Sequence, residues 1–123
     1  MNSARFITSV KPEEYLALIK NSVGLLGNSS SGLIEAPSLH VPTINIGDRQ
    51  KGRVRGTSVI DCVCTIDDIS KSIFMSQDRD FINKIGQASN PYYKKSVCDT
   101  ATYLIKRFLL SSASGYKDFY DFT

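Results

Sequence analysis

Apolar positions along the chain follow two spacings, one typical of strands and the other typical of helices. Four short runs of apolar and β-branched residues have the length of buried strands: residues 5–10, 23–26, 42–46 and 58–63. Apolar residues recur at helical spacing in five further segments: residues 12–20, 30–39, 66–74, 81–85 and 97–108. Because strands alternate with helices, the pattern predicts an α/β fold with a parallel sheet.

Start and stop signals agree with these segments. Pro12 stands where a first helical turn tolerates proline, and two glutamates follow it at the positive end of the helix. Thr65 with Asp68 resembles a capping box. Pro37 interrupts the second helical segment, so we predict a short or kinked helix there. The sequence Asn-Pro-Tyr-Tyr at residues 90–93 predicts a turn.

The sequence Gly-Asn-Ser-Ser-Ser-Gly at residues 27–32, here named the serine turn, joins a predicted strand to a predicted helix. Backbone N–H groups at a helix start lack intrahelical partners and attract anions, most often phosphate. One serine suffices to cap a helix, so three between glycines predict an anion site.

Glu35 lies about one helical turn further on. A surface glutamate is usually solvated or salt-bridged, but here it shares the ligand-facing end, where a carboxylate can accept hydrogen bonds from a ribose.

The loop after the next predicted strand, residues 47–56, is here named the cationic loop. It holds four cations between three glycines: Arg49, Lys51, Arg53 and Arg55. Neighbouring parallel strands end at the same sheet edge, where open α/β sheets bind nucleotides, so we expect this loop beside the serine turn. Arg49 is nearest the sheet edge, and its planar guanidinium can bind two phosphate oxygens. The outer cations are expected to steer ligands or to pair with Asp48 and surface acids.

Length, charge and cysteine content exclude several classes of protein. The 123 residues are 41% hydrophobic and 22% charged, as in an ordinary globular domain. A net charge of +3 is too weak for a protein that coats nucleic acid or a membrane. No apolar run approaches the roughly 20 residues of a membrane span, and no signal peptide is evident. The cysteines, Cys62, Cys64 and Cys98, are interpreted as small buried hydrophobes in a reducing cytoplasm. We therefore predict a cytoplasmic protein.

The sequence lacks the usual signatures of a complete active site. It contains no nucleophile with a base and an orienting group, no metal-ligand set, and no paired carboxylates at a reacting centre. His40, the only histidine, precedes a strand and is expected to be structural or exposed. We predict no catalytic residue, no metal and no cofactor, so the chain is expected to bind a ligand without reacting it.

Two long motifs indicate a family. Residues 27–38, GNSSSGLIEAPS, and residues 41–53, VPTINIGDRQKGR, strongly resemble motifs of the UDP-N-acetylglucosamine 2-epimerase family. Both are most similar to its hydrolysing branch, which supplies N-acetylmannosamine or related sugars for sialic-acid-type nonulosonates. Asn-Pro-Tyr at residues 90–92 and the last helix also match the family's C-terminal pattern, so the resemblance covers nearly the whole chain.

The resemblance implies two Rossmann-like domains of the GT-B type, with the substrate in the cleft between them. Residues 1–110 would then be part of the second domain, and residues 111–123 a C-terminal aromatic tail. We expect a missing N-terminal domain to carry the acids for elimination and hydration. The complete enzyme is expected to be a homo-oligomer that binds UDP-N-acetylglucosamine or UDP, and this chain alone is expected to be inactive.

The resemblance also implies which side chains of this chain contact the substrate. The predicted substrate-binding residues lie in the serine turn, the helix after it and the cationic loop: Ser29, Ser30, Ser31, Gly32, Glu35 and Arg49. By resemblance, the first two serines contact the UDP diphosphate, the glutamate contacts the uridine ribose, and the arginine contacts a phosphate.

Two interpretations from other classes remain open. A sugar-phosphate-binding domain of the isomerase type also uses serine-rich strand-to-helix turns, but it would require neither the cationic loop nor the Asn-Pro-Tyr sequence. A nucleic-acid-binding module could use the cations, yet the cationic loop has no interleaved aromatics to stack on bases. Thermal protection by UDP, without a response to sugar phosphates or oligonucleotides, separates the three.

Overall fold

The computed structural model describes residues 4–111 of the chain. A first compact unit ends at Tyr93, and a second begins at Lys94. In chain order, the first contains α1 (Pro12–Lys20), β1 (Leu25–Gly27), α2 (Ser31–Ile34), a 3-10 helix (Ala36–Leu39), β2 (Thr43–Ile46), β3 (Val59–Cys62), α3 (Ile66–Ser76) and α4 (Arg79–Gly86). The second contains α5 (Val97–Leu110). Residues 112–123 of the predicted aromatic tail lie outside the described residues.

The strands form one parallel sheet in the order β1-β2-β3. Leu25 of β1 pairs with Thr43 of β2, and Thr43 pairs with Val59 of β3. The predicted α/β fold class and parallel sheet are therefore confirmed. Three of the four predicted strands form within two residues of their predicted bounds, and all five predicted helical segments contain helix.

The predicted strand at residues 5–10 is wrong. These residues form no strand, and Phe6 is 93% exposed. A strand is stable only when its backbone N–H and C=O groups pair with a neighbour. Within residues 4–111, nothing pairs with the edge of β1 that faces away from β2. β-branched composition alone was therefore a misleading signal.

The predicted helix ends are largely present. The Lys11 N–H donates to Glu14 Oε2 at 3.0 Å ahead of α1. The Thr65 hydroxyl accepts from the Asp68 N–H at 3.3 Å and caps α3. The Asp68 carboxylate accepts from the Val63 N–H at 2.8 Å, so the predicted capping box forms only in part.

Pro37 interrupts the second helix as predicted. α2 ends at Ile34, and Pro37 lies in the separate 3-10 helix. His40 follows with a left-handed φ of 56°, which ends that helix. Its Nδ1 lies 2.9 Å from the Ile85 carbonyl oxygen, so His40 makes a structural contact with α4.

The hydrophobic core lies where α1, the 3-10 helix and the sheet meet. Its buried residues and their partly buried neighbours are Ile19, Ala36, Val41, Tyr15, Leu25 and Leu39. α3 buries two small side chains, Ser72 and Ser76, whereas Ile66 and Phe74 are 85% and 78% exposed. The apolar positions predicted for α3 are therefore not all on its buried face.

No helix within residues 4–111 combines the length and apolarity needed to cross a membrane.

Candidate functional site

The serine turn and the cationic loop meet at one edge of the sheet. β1 leads into the serine turn and β2 into the cationic loop, and Gly27 is paired with Asn45 in the parallel register. Asn28 links the two loops. Arg49 Nη1 lies 3.5 Å from its Oδ1, and Gln50 Nε2 donates to its carbonyl oxygen at 2.7 Å. The structure therefore brings together the two loops that the sequence predicted to be neighbours.

Gln50 is the buried link between these loops. Its side chain is 3% exposed, and its bond to Asn28 spans 22 residues of sequence. Because a carbonyl oxygen only accepts, the amide orientation is fixed with Nε2 toward Asn28. Leaving a buried donor without its partner costs about 1–3 kcal/mol. Gln50 therefore holds the cationic loop against the serine turn.

The three serines differ in exposure and in bonding. Ser29 is exposed, Ser30 is half-buried and Ser31 is buried. Ser31 Oγ lies 2.6 Å from Tyr15 Oη and donates to Ser29 Oγ at 3.1 Å. The first two serine hydroxyls are thus accessible to a ligand, whereas the third is bonded inside the protein.

Gly32 is a glycine because of packing. A Cβ at this position would lie 2.5 Å from Cγ2 of Thr43, closer than side chains approach one another. Thr43 Oγ1 also donates to the Gly32 carbonyl oxygen at 3.0 Å. α2 therefore approaches β2 as closely as a residue without a side chain allows.

The helix after the serine turn is short, as the position of Pro37 predicts. α2 has four residues, so its dipole is small compared with that of a full-length helix. Two N–H groups at its start are bonded within the turn, Gly32 to the Ser29 carbonyl at 3.3 Å and Leu33 to the Ser30 carbonyl at 3.0 Å. An anion site here therefore depends on the accessible hydroxyls and on Arg49 more than on a helix end.

Glu35 and Arg49 are the two charged residues that the sequence predicts at this site. Both are exposed, and Glu35 directly follows α2. Within residues 4–111, the Glu35 carboxylate forms no ion pair. The Arg49 contact with Asn28 is at the outer limit of hydrogen-bond distance, so most of its five donors remain available. Both side chains can therefore reach a ligand in solvent.

The remaining cations of the loop behave differently from Arg49. Arg55 forms an ion pair with Asp61, as was predicted for the outer cations and surface acids. The Asp61 carboxylate also accepts from Asn45 Nδ2 at 2.6 Å. Lys51 and Arg53 are exposed and form no ion pair within residues 4–111. Arg55 is thus a structural cation.

The predicted turn at residues 90–93 forms and is hydrogen-bonded to the end of α2 and to the cationic loop. The Tyr93 N–H donates to the Asn90 carbonyl at 3.0 Å. Asn90 Nδ2 donates to the Ile34 carbonyl at 2.7 Å, at the end of α2. The Tyr92 hydroxyl donates to the Val54 carbonyl at 2.9 Å, inside the cationic loop. This turn therefore braces both segments that form the candidate site.

Among the cavities of the described residues, two adjoin the site, and a larger one lies at the opposite end of the sheet. A cavity of about 240 Å³ is lined by β1, the serine turn and Thr43. A cavity of about 310 Å³ lies along the cationic loop and β3. The third, of about 520 Å³, is lined by residues where the strands begin, among them Val23 and Pro42, and by no predicted site residue.

Metal-ligating and thiol side chains give no second site. Within residues 4–111, no three His, Cys, Asp or Glu side chains gather in a way that could hold a metal ion. Cys62 is buried and Cys64 and Cys98 are exposed, so the prediction of buried cysteines is right for the first and wrong for the other two. Burial raises the pKa of the Cys62 thiol, which favours its neutral form in the core.

Sequence reasoning does not identify two residues that shape the site, Tyr15 and Gln50. Tyr15 lies in a predicted helical segment and Gln50 in the cationic loop, and neither is among the predicted site residues. The available signals were weak: a hydroxyl in an otherwise aliphatic stripe and an uncharged amide in a charged loop. Neither signal identifies a partner, because both partners lie more than ten residues away in the chain.

Comparisons with known proteins agree with this picture. A family model described as UDP-N-acetylglucosamine 2-epimerase matches residues 1–106. The chain is 56% identical over 117 residues to "Polysialic acid biosynthesis protein P7" of Escherichia coli, covering 95% of this chain and 30% of that protein. It is 38% identical over 80 residues to "GDP/UDP-N,N'-diacetylbacillosamine 2-epimerase (hydrolyzing)" of Campylobacter jejuni, covering 65% and 20% of the two chains.

A further relative is similar over most of the chain. "UDP-N,N'-diacetylbacillosamine 2-epimerase (hydrolyzing)" of Legionella pneumophila is 35% identical over 109 residues, which cover 88% of this chain and 28% of that protein. The chain thus spans less than a third of the length of the curated relatives that it matches.

Proposed function

The chain belongs to the UDP-N-acetylglucosamine 2-epimerase family, and from that premise we propose that it is the UDP-binding portion of a hydrolysing UDP-N-acetylglucosamine 2-epimerase. The proposed enzyme converts UDP-N-acetylglucosamine to UDP and N-acetylmannosamine or a related sugar. The observation that carries the proposal is the meeting of the serine turn with Arg49 across Asn28.

The geometry supports a specific division of labour at this edge of the sheet. The accessible hydroxyls of Ser29 and Ser30 donate to oxygens of the UDP diphosphate, and the Arg49 guanidinium offsets part of its negative charge. The exposed Glu35 carboxylate accepts hydrogen bonds from the uridine ribose. In this proposal Ser31 and Gly32 shape the turn around the ligand, through an internal hydroxyl bond and close backbone packing respectively.

These contacts serve one step of the proposed reaction. Expelling UDP from the sugar builds negative charge on the diphosphate, and fixed donors lower the free energy of that transition state. Removing the proton at C2 of the sugar needs a base, and adding water needs an acid–base group. We propose that these groups belong to a domain that precedes this portion, with residues 1–110 in the second of two Rossmann-like domains of the GT-B type and residues 111–123 as a tail.

The names of the relatives support the class of reaction and of product. The Escherichia coli relative is named for polysialic acid biosynthesis, and the other two are named as hydrolysing 2-epimerases. We therefore propose a place in sialic-acid-type sugar synthesis, in a homo-oligomeric enzyme. The three free thiols are consistent with a reducing compartment, and we propose the cytoplasm.

Turnover by the complete enzyme tests the proposed function. The enzyme is incubated with UDP-N-acetylglucosamine, and released UDP and the free sugar are measured by chromatography and NMR. We expect stoichiometric UDP and a 2-epimerised sugar from the complete enzyme, and neither product from the 123-residue chain alone. Turnover of a sugar phosphate instead, without UDP dependence, would favour the isomerase-type alternative.

A further inference from the structure

Tyr15 of α1 is hydrogen-bonded to the serine turn from inside the protein. Its Oη lies 2.6 Å from Ser31 Oγ, across 16 residues of sequence. Ser31 Oγ in turn donates to Ser29 Oγ at 3.1 Å, and the Ser31 N–H points to the same oxygen at 3.4 Å. Three hydroxyls therefore form a series of hydrogen bonds, here named the hydroxyl chain, that starts in α1 and ends at an exposed serine.

The number of hydroxyl protons determines which group donates at each bond of the hydroxyl chain. A serine hydroxyl has one proton, and Ser31 uses its proton toward Ser29. The Ser31 oxygen can then only accept from Tyr15, so the phenol is the donor of the 2.6 Å bond. Ser29 accepts at its oxygen, and its own proton remains free to be donated outward. The direction is from Tyr15 through Ser31 to Ser29.

The first group of the hydroxyl chain, the Tyr15 phenol, is held rigidly. The Tyr15 ring packs against the buried core residues Ile19, Ala36 and Val41, which fixes the position of the phenolic oxygen. Ser31 is 8% exposed, so its bond to Tyr15 is shielded from competing water. Each hydroxyl that accepts a hydrogen bond becomes a stronger donor in turn. The chain therefore both orients the exposed hydroxyl and strengthens it as a donor.

We propose that Tyr15 is a positioning residue for diphosphate binding, acting through Ser31 on Ser29. This inference rests on the proposed function, because it assumes that Ser29 donates to a phosphate oxygen. Tyr15 does not touch the ligand. Through the hydroxyl chain, Tyr15 orients the Ser29 hydroxyl so that its proton points toward a bound anion. Without Tyr15, this hydroxyl would rotate among several orientations.

Tyr15→Phe tests the proposal, since it keeps the ring in the core and removes the hydroxyl. Binding of UDP and of inorganic pyrophosphate to the 123-residue chain is measured by NMR titration. We expect roughly a three- to tenfold loss of affinity for both ligands, the range of one neutral hydrogen bond. Ser31→Ala interrupts the hydroxyl chain at its middle and should give the same loss of affinity. It also serves as the second variant if Tyr15→Phe does not fold.

Two controls separate positioning from a general structural effect. Tyr103→Phe is the same chemical change at a tyrosine of α5 that is 61% exposed, and it should change affinity less than twofold. In a Ser29→Ala background, Tyr15→Phe should cause almost no further loss of affinity, because the Ser29 hydroxyl at the end of the hydroxyl chain is already absent. An equal loss in both backgrounds would overturn the proposal, and so would unchanged affinity in Tyr15→Phe.

Pyrophosphate distinguishes failure of this inference from failure of the proposed function. If wild-type chain binds pyrophosphate in a Tyr15-dependent way but gains nothing from the uridine of UDP, the hydroxyl chain stands and the UDP assignment fails. If UDP binds normally to Tyr15→Phe and Ser31→Ala, the UDP assignment stands and the hydroxyl chain fails. If neither ligand binds to wild-type chain, both are overturned.

Discussion

Arg49 and Arg53 show how position separates cations that look alike in sequence. Both are exposed arginines of the cationic loop. Arg49 Nη1 lies 3.5 Å from Asn28 Oδ1 in the serine turn. Arg53 is instead bonded through its backbone, and its carbonyl oxygen accepts from Arg55 Nη1 at 2.7 Å. A specific site and a diffuse positive patch therefore predict different outcomes for the two side chains.

Replacing each arginine by alanine measures that difference. Losing a charge-assisted hydrogen bond costs about 1.5–3 kcal/mol, so Arg49→Ala should weaken UDP binding to the complete enzyme roughly ten- to hundredfold. Arg53→Ala is the matched control and should have a much smaller effect. Arg55→Ala should also affect binding less than Arg49→Ala, because its guanidinium pairs with Asp61. Equal losses in direct titrations would indicate a diffuse electrostatic patch.

The sequence predicts only some of the residues and contacts that form the site. The composition of the serine turn and of the cationic loop indicated an anion site, and the structure brings the two loops together. The bonds from Tyr15 to Ser31 and from Gln50 to Asn28 were missed. They join residues far apart in the chain, and their partners depend on the path of each loop, which local patterns do not encode.

At the scale of elements, the close approach of α2 to β2 sets the position of the serine turn. Gly32 and Thr43 are in contact through the backbone and the Thr43 side chain. The sequence predicted Gly32 as a substrate-binding residue. Its packing gives a structural reason for glycine that needs no ligand.

Gly32→Ala measures the packing between α2 and β2. The added Cβ would meet Thr43 Cγ2 at 2.5 Å, and overpacking of this kind costs about 1–3 kcal/mol of unfolding free energy. Gly86→Ala is the matched control. A Cβ at Gly86 meets no atom within 4 Å, so this change should be neutral or stabilising by about 0.4–1 kcal/mol.

Thr43→Ser provides the rescue for this experiment. Serine keeps the hydroxyl that donates to the Gly32 carbonyl and removes the methyl group that blocks a Cβ. The double variant Gly32→Ala, Thr43→Ser should therefore recover part of the lost stability in urea denaturation. A Gly32→Ala variant as stable as Gly86→Ala would contradict the packing account.

Elements were predicted well wherever their stabilising partner is encoded nearby. The sheet strands follow from apolar runs bounded by turns, and the break at Pro37 follows from the missing N–H of proline. The strand expected at residues 5–10 was wrong, because these residues pair with no strand of the described sheet and the outer edge of β1 stays open. The short α2 agrees with the prediction of a short or kinked helix at residues 30–39.

At the scale of the whole molecule, the two ends of the sheet can be compared as binding sites for a nucleotide. The larger cavity, of about 520 Å³, lies where the strands begin and is lined by residues such as Lys20, Pro42 and Gln77. The cavities beside the serine turn and the cationic loop are smaller, at about 240 and 310 Å³. Volume alone would favour the first region, whereas charge and hydrogen-bond donors favour the second.

Amide chemical-shift mapping of the 123-residue chain with UDP tests the central claim most directly. We predict saturable shifts confined to residues 27–35 and 47–53, with a dissociation constant on the order of 1 mM, as expected when only part of a ligand's surface is enclosed. Arg49→Ala should strongly reduce these shifts at the same UDP concentration, as its weaker affinity requires. Shifts centred on Lys20, Pro42 and Gln77, or none at saturating UDP, would contradict the account.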